Sequence, residues 1–188
     1  MTRFRVRRSF LDRYEVCWSS AAGVQAGDGS LGAARPIGAD FMVTNRSVPV
    51  DTVLPHIAYR DVAEASRWLT AVFGFTEHFR YGPPDAPSGA QLHLGDAWVM
   101  LNEAEADQKT PAELGYGTHA LTIFVPDVDA HFEKTKSAGA TIVEDLHETV
   151  YGERQYGVRD LDGHLWLFSA HARDVSPGEW GATTTSSC

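Results

Sequence analysis

Apolar residues along this chain fall into two rhythms, and the same succession of rhythms occurs twice. Residues 53–59 are mostly apolar, which predicts a buried strand. Asp61 follows at an N-cap position with Glu64 three residues on, the spacing of a capping box. Val62, Ala65, Leu69, Val72 and Phe73 then recur at helical spacing, giving one apolar side, and Gly74 is placed to end the helix. Residues 81–89 hold too many Gly and Pro for regular structure, while residues 90–94 and 97–102 flank Gly95-Asp96 as a hairpin. The second succession predicts a strand over 119–125, a helix over 128–138 stopping at Gly139, a short strand over 141–144, and a hairpin turning within 160–163.

The two successions align. Residues 54–62 match 120–128, with Ile57 opposite Ile123 and Tyr59 opposite Val125, and Gly95 and Trp98 match Gly163 and Trp166. An internal repeat of about 60 residues fixes the architecture. Each copy reads as strand, helix and about three strands. The expected fold class is α+β: two tandem βαβββ modules forming a curved mixed sheet around a cleft, with helices on the convex side. The expected boundaries are an irregular or disordered arm over 1–48, the domain over 49–173 with modules at about 52–104 and 114–172, and a tail over 174–188.

Composition narrows the partners. The net charge is −9, yet residues 1–48 hold seven Arg against four acids, so the remainder carries −12. Nucleic acid is not an expected partner of such a body, whereas a cationic small molecule would be attracted. No apolar run approaches the roughly 20 residues needed to span a bilayer, so no membrane partner is expected. Cys17 and Cys188 sit at opposite ends, with neither disulfide nor zinc spacing, which points to a reducing, cytoplasmic setting. The Gly/Ser-rich arm shows no sustained period, and Met42 just ahead of the repeat is an alternative start.

Asp61-Val62 and Asp127-Val128 after the first strands, the exits Phe73-Gly74-Phe75 and Ala138-Gly139-Ala140, and the run Tyr151-Gly-Glu-Arg-Gln-Tyr156 with Asp160-Leu-Asp-Gly-His164-Leu-Trp together carry a resemblance. The chain resembles the vicinal oxygen chelate superfamily of glyoxalase I, bleomycin-resistance proteins, fosfomycin-resistance enzymes and extradiol dioxygenases. The tail from Arg173 to Trp180 is similar to that of a bacterial glyoxalase-like subgroup. In metal-using branches, the resemblance implies four ligands, one from the first and one from the last strand of each module. Carried over by position, these fall on Leu54, Val99, Ala120 and Leu167. None bears the N, O or thiolate donor a divalent ion takes. No cofactor is therefore expected at these positions. A displaced divalent metal held by His56, His93 and Glu153 is the rival.

Strand parity places His56 on the same side as Leu54, in the cleft, and His119 on the opposite side from Ala120. If Val99 and Leu167 face the cleft, Trp98, Met100, Trp166 and Phe168 face the helices, leaving Ala97, Leu101, Leu165, Thr122 and Phe124 as an apolar lining. His56, Gln91, His93, Tyr156 and Ser169 are its polar points, and Arg80 and Tyr81 stand at its lip. The candidate ligand-binding set is thus His56, Gln91, His93, Thr122, Phe124, Tyr156 and Arg80. His78, His131, His147, His164 and His171 fall where solvent exposure or a turn role is expected. No nucleophile elbow, phosphate loop or dinucleotide fingerprint is present. Were the protein an enzyme, His56 would be its general acid or base.

Two functions follow. One is a bleomycin-resistance-like protein that binds a small organic ligand in an apolar cleft, without metal and as a homodimer. The other is a metal-dependent lyase, isomerase or dioxygenase using a displaced His site.

Overall fold

The computed structural model describes residues 53–184. The expected arm over 1–48 lies outside the described residues. The first module comprises β1 (His56–Tyr59), α1 (Val62–Phe73), β2 (Thr76–Tyr81), β3 (Gly89–Leu94) and β4 (Ala97–Glu103). A one-turn helix, α2 (Pro111–Leu114), lies in the connection. The second module comprises β5 (Ala120–Phe124), α3 (Val128–Ser137), β6 (Thr141–Glu148), β7 (Glu153–Arg159) and β8 (Leu165–His171).

The fold is the expected α+β pair of βαβββ modules, built as two four-stranded mixed sheets ordered β1-β4-β3-β2 and β5-β8-β7-β6. In each sheet the first strand runs parallel to the last and the remaining pairs are antiparallel. Local chemistry sets the helix ends. Asp61 accepts a hydrogen bond from the Glu64 N–H at 2.8 Å, and Asp127 accepts from Ala130 N–H at 2.9 Å. Gly74, at φ 85°, closes α1 in a left-handed conformation that costs glycine little.

The apolar side of α1 is buried as its spacing predicts and packs with Ile57, Tyr59, Leu92, Val99 and Leu101 in one core that includes both modules. Phe73 stacks edge-on to Trp166 at 5.7 Å and to Phe168 at 4.9 Å. Each large apolar side chain buried here contributes about 1.5–3 kcal/mol. Polar bonds also cross between modules. Tyr59 Oη donates to Asp160 Oδ2 at 2.6 Å, Arg60 N–H donates to Asp162 at 2.7 Å, and His164 Nε2 donates to the Ala58 carbonyl at 2.9 Å.

One expectation is corrected. Ile57 pairs with Leu101, Leu101 with Ala90, and Leu92 with Val99, so Val99 and Leu101 face the helices. Ala97 shares that face, while Trp98 and Met100 share the outer face with His56. The reason is a difference in turn length. Leu94 pairs with Ala97 across the two residues Gly95-Asp96, whereas Arg159 pairs with Leu165 across the five residues 160–164. Gly95 and Gly163 are therefore not equivalent, and a slip of one residue exchanges the faces of a strand. In the second module, Trp166 and Phe168 are core, and Thr122, Phe124, Leu165 and Leu167 lie on the outer face as expected. β6 is longer than predicted, reaching Glu148 through two register irregularities.

Candidate functional site

The outer face of the first sheet gathers His56 from β1, Met100 and Asn102 from β4, Gln91 and His93 from β3, and Tyr81 from β2. Its polar groups are ordered by a chain of bonds. Tyr81 Oη donates to Asn102 Oδ1 at 3.1 Å, which turns the Asn102 amide nitrogen toward His56 Nδ1, also at 3.1 Å. His56 Nδ1 therefore accepts, and in the neutral ring Nε2 keeps the proton. The Tyr81 ring reaches this position because residue 89 is glycine: a Cβ there would stand 2.3 Å from the ring. His93 stacks on Trp98 at 4.6 Å with 26° between planes.

Gln91 lies among these groups at 0% exposure, and neither its Oε1 nor its Nε2 has a hydrogen-bond partner. Leaving a buried amide group unpaired costs about 1–3 kcal/mol. The second sheet provides the contrast. There Gln155 Oε1 accepts from Ser169 Oγ at 3.0 Å and from Tyr151 Oη at 3.2 Å, and its Nε2 donates to Glu144 at 3.2 Å. The outer face of that sheet also carries Thr122, Leu167 and Phe124, the last 64% exposed. Trp180 from the tail meets Tyr151 edge-on at 6.0 Å. A cavity of about 210 Å³ at the adjoining strand ends is lined by Pro55 and Trp98 on one side and Leu121 and Thr122 on the other.

The candidate residues thus separate. His56, Gln91 and His93 share one outer face, and Thr122 and Phe124 share the other. Tyr156 pairs with Phe168 and is buried among the core residues rather than in a cleft. Its hydroxyl lies 2.6 Å from His131 Nδ1 and 3.0 Å from Thr135 Oγ1, and burial pushes its pKa up to about 12. Arg80 pairs with Ala90, on the helix side, and forms an ion pair with Glu77 at 2.8 Å. His131 is half-buried rather than solvent-facing, and His164 has the expected place in a turn but is buried there. His131 bridges Tyr156 and the Phe73 carbonyl, and His164 is held against Ala58. Asn102 and Met100 went unrecognised, and counting outward from the two-residue turn would have put both on the outer face.

The residues at the positions implied for a metal do not fit one. With the register corrected, Met100 takes the place of Val99 beside Leu54, Ala120 and Leu167, and its thioether is a soft donor. His56 and His93 belong to the first sheet, whereas Glu153 lies on β7 next to His171, 3.4 Å away. Among the described residues, no three His, Cys, Asp or Glu side chains are grouped so as to hold a metal ion.

The sequence profile of the Glyoxalase/Bleomycin resistance protein/Dioxygenase superfamily matches residues 50–168. The chain is 31% identical over 163 residues to the uncharacterized protein Rv0887c of Mycobacterium tuberculosis, covering 83% of this chain and 94% of that protein. It is similar to the crystal structure of TioX from Micromonospora sp. ML1, with 38% identity and a TM-score of 0.54 over 63% of this chain and 96% of that one. Over 87 residues it is 31% identical to glutathione transferase FosA of Serratia marcescens, covering 46% of this chain and 58% of that protein.

Proposed function

The chain belongs to the Glyoxalase/Bleomycin resistance protein/Dioxygenase superfamily, and on that premise we propose that it binds a small organic molecule on the outer faces of its sheets, without the family metal. Gln91 carries this reading. Its unpaired donor and acceptor lie on a face with the stacked His93 and Trp98, and a ligand that both donates and accepts would relieve the cost of their burial. His56 lies on the same face, its ring fixed by Asn102.

The binding form in this proposal is a homodimer. Each protomer has two outer faces, and a two-fold axis would set the first face of each copy against the second face of its partner, covering Phe124. A cytoplasmic setting belongs to the same proposal. No described helix is long and apolar enough to cross a membrane.

The test is a small-molecule screen by tryptophan fluorescence on the wild type and on Gln91→Leu, paired with metal analysis of the purified protein. Support would be a saturable ligand whose affinity falls by roughly tenfold or more in the variant. A ligand indifferent to Gln91 would overturn the role of that residue. Stoichiometric Ni, Zn, Mn or Fe retained by the wild type and lost in His56→Ala would replace this reading with the metal-dependent lyase, isomerase or dioxygenase.

A further inference from the structure

A second cavity, of about 230 Å³, lies between β1, the connection that carries α2, and the β7–β8 turn. Its lining includes His56, Ala58, Lys109, Tyr116, His119 and His164. His164 is 5% exposed and firmly held. Its backbone N–H donates to Asp160 Oδ1 at 2.9 Å, its ring meets Tyr59 edge-on at 4.9 Å, and its Nε2 lies 2.9 Å from the Ala58 carbonyl. A carbonyl oxygen only accepts, so Nε2 carries the proton, and in the neutral ring Nδ1 presents a lone pair. That Nδ1 is buried and has no partner. Turning the ring over would not relieve it, because the bond to Ala58 would then be lost.

A buried acceptor without a donor is an unfilled half of a hydrogen bond. The group that fills it must bring an N–H or O–H. The rest of the lining asks for the opposite character, since Lys109 is a cation and the bond from Asn102 leaves His56 with its proton on Nε2. We propose that this cavity is a binding site for a small hydroxycarboxylate, whose hydroxyl donates to His164 Nδ1 while its carboxylate is met by Lys109 and His56. The site is separate from the Gln91 face, with only His56 and Ala58 of β1 bordering both. It goes beyond the function proposed above and stands or falls without it.

The experiment follows the histidine ring nitrogens of the full ¹⁵N-labelled chain by NMR during titration with lactate, and in parallel with propanoate, which lacks the hydroxyl. The expected result is a saturable shift of His164 Nδ1 with lactate and binding weaker by roughly tenfold with propanoate, the worth of one hydrogen bond to a buried acceptor. Lys109→Ala, in an exposed connection, weakens both carboxylates. His164→Gln keeps a side-chain N–H at the Nε2 distance for the Ala58 carbonyl while removing the acceptor at the Nδ1 position, and it makes the two carboxylates bind alike. The proposal is overturned if lactate gives no saturable shift, as when ordered water alone fills the cavity. It is equally overturned if wild type binds both compounds alike, if Lys109→Ala leaves lactate affinity unchanged, or if the lactate preference persists in a folded His164→Gln. Should His164→Gln not fold, the lactate–propanoate difference in wild type and the Lys109→Ala titration still decide it.

Discussion

Asp160, in the turn between β7 and β8, accepts four hydrogen bonds: from Tyr59 Oη and Trp166 Nε1 at one oxygen, and from the N–H groups of Asp162 and His164 at the other. Burial raises its pKa, while these donors and the neighbouring His164 pull the other way. Asp160→Asn turns one of the two accepting oxygens into a donor facing donors. Urea unfolding should show a loss of about 2–4 kcal/mol, with Tyr59→Phe losing about 1–3 kcal/mol. His131 gives the residue scale its pH dependence. Burial is the main cause holding its pKa below the ordinary 6.5. The unfolded chain therefore takes up this proton first, so the contribution of His131 is fully present above the unfolded value and is lost as pH falls through the lowered folded value. Between about pH 7 and about pH 5, the urea midpoint of wild type should fall more than that of His131→Gln. Neither His131 nor His164 was legible as buried, because their carbonyl partners lie 58 and 106 residues away in sequence.

The helices were the most legible elements, since their information is local. The caps at Asp61 and Asp127 and the stop at Gly74 lie within a few residues of what they control. Strand faces depend on pairing partners, and there the repeat misled. Aligning Gly95 with Gly163 treated a two-residue turn as the equivalent of a five-residue turn and placed Trp98 and Met100 in the core, while the same reasoning held for Trp166 and Phe168. Gly89 shows how one strand position shapes a face. Its missing Cβ lets the Tyr81 ring lie against β3 and reach Asn102. Gly89→Ala should displace that ring at a cost of about 1–3 kcal/mol. The asparagine side-chain NMR signals and the His56 ring tautomer would change with it, and an unperturbed His56 signal would contradict the bond chain drawn here.

At the scale of the molecule, duplication determines what is exposed. Both modules turn their helices and the rings of Tyr59, Phe73, Tyr156, Trp166 and Phe168 into one core, which leaves each sheet with an outer face. In the proposed two-fold dimer Phe124 becomes an interface residue, because an exposed ring on a strand face favours burial. Phe124→Glu should then run as a monomer in light scattering at concentrations where wild type is a dimer. Equal masses for the two proteins would remove Phe124 from any interface. The βαβββ architecture could be read from the repeat, but the bonds joining its copies could not, since they are made by one copy with the other.

Those bonds also govern how far the two copies can diverge. The end of β1, with Tyr59 and the Arg60 N–H, fits the carboxylates of a turn encoded about 100 residues later, and the Ala58 carbonyl fits the ring of His164. A chimera joining the first module of this protein to a second module without the counterparts of Asp160, Asp162 and His164 would keep only half of each bond. The unit these bonds favour is therefore the matched pair of modules, although the smaller repeat is what the sequence displays.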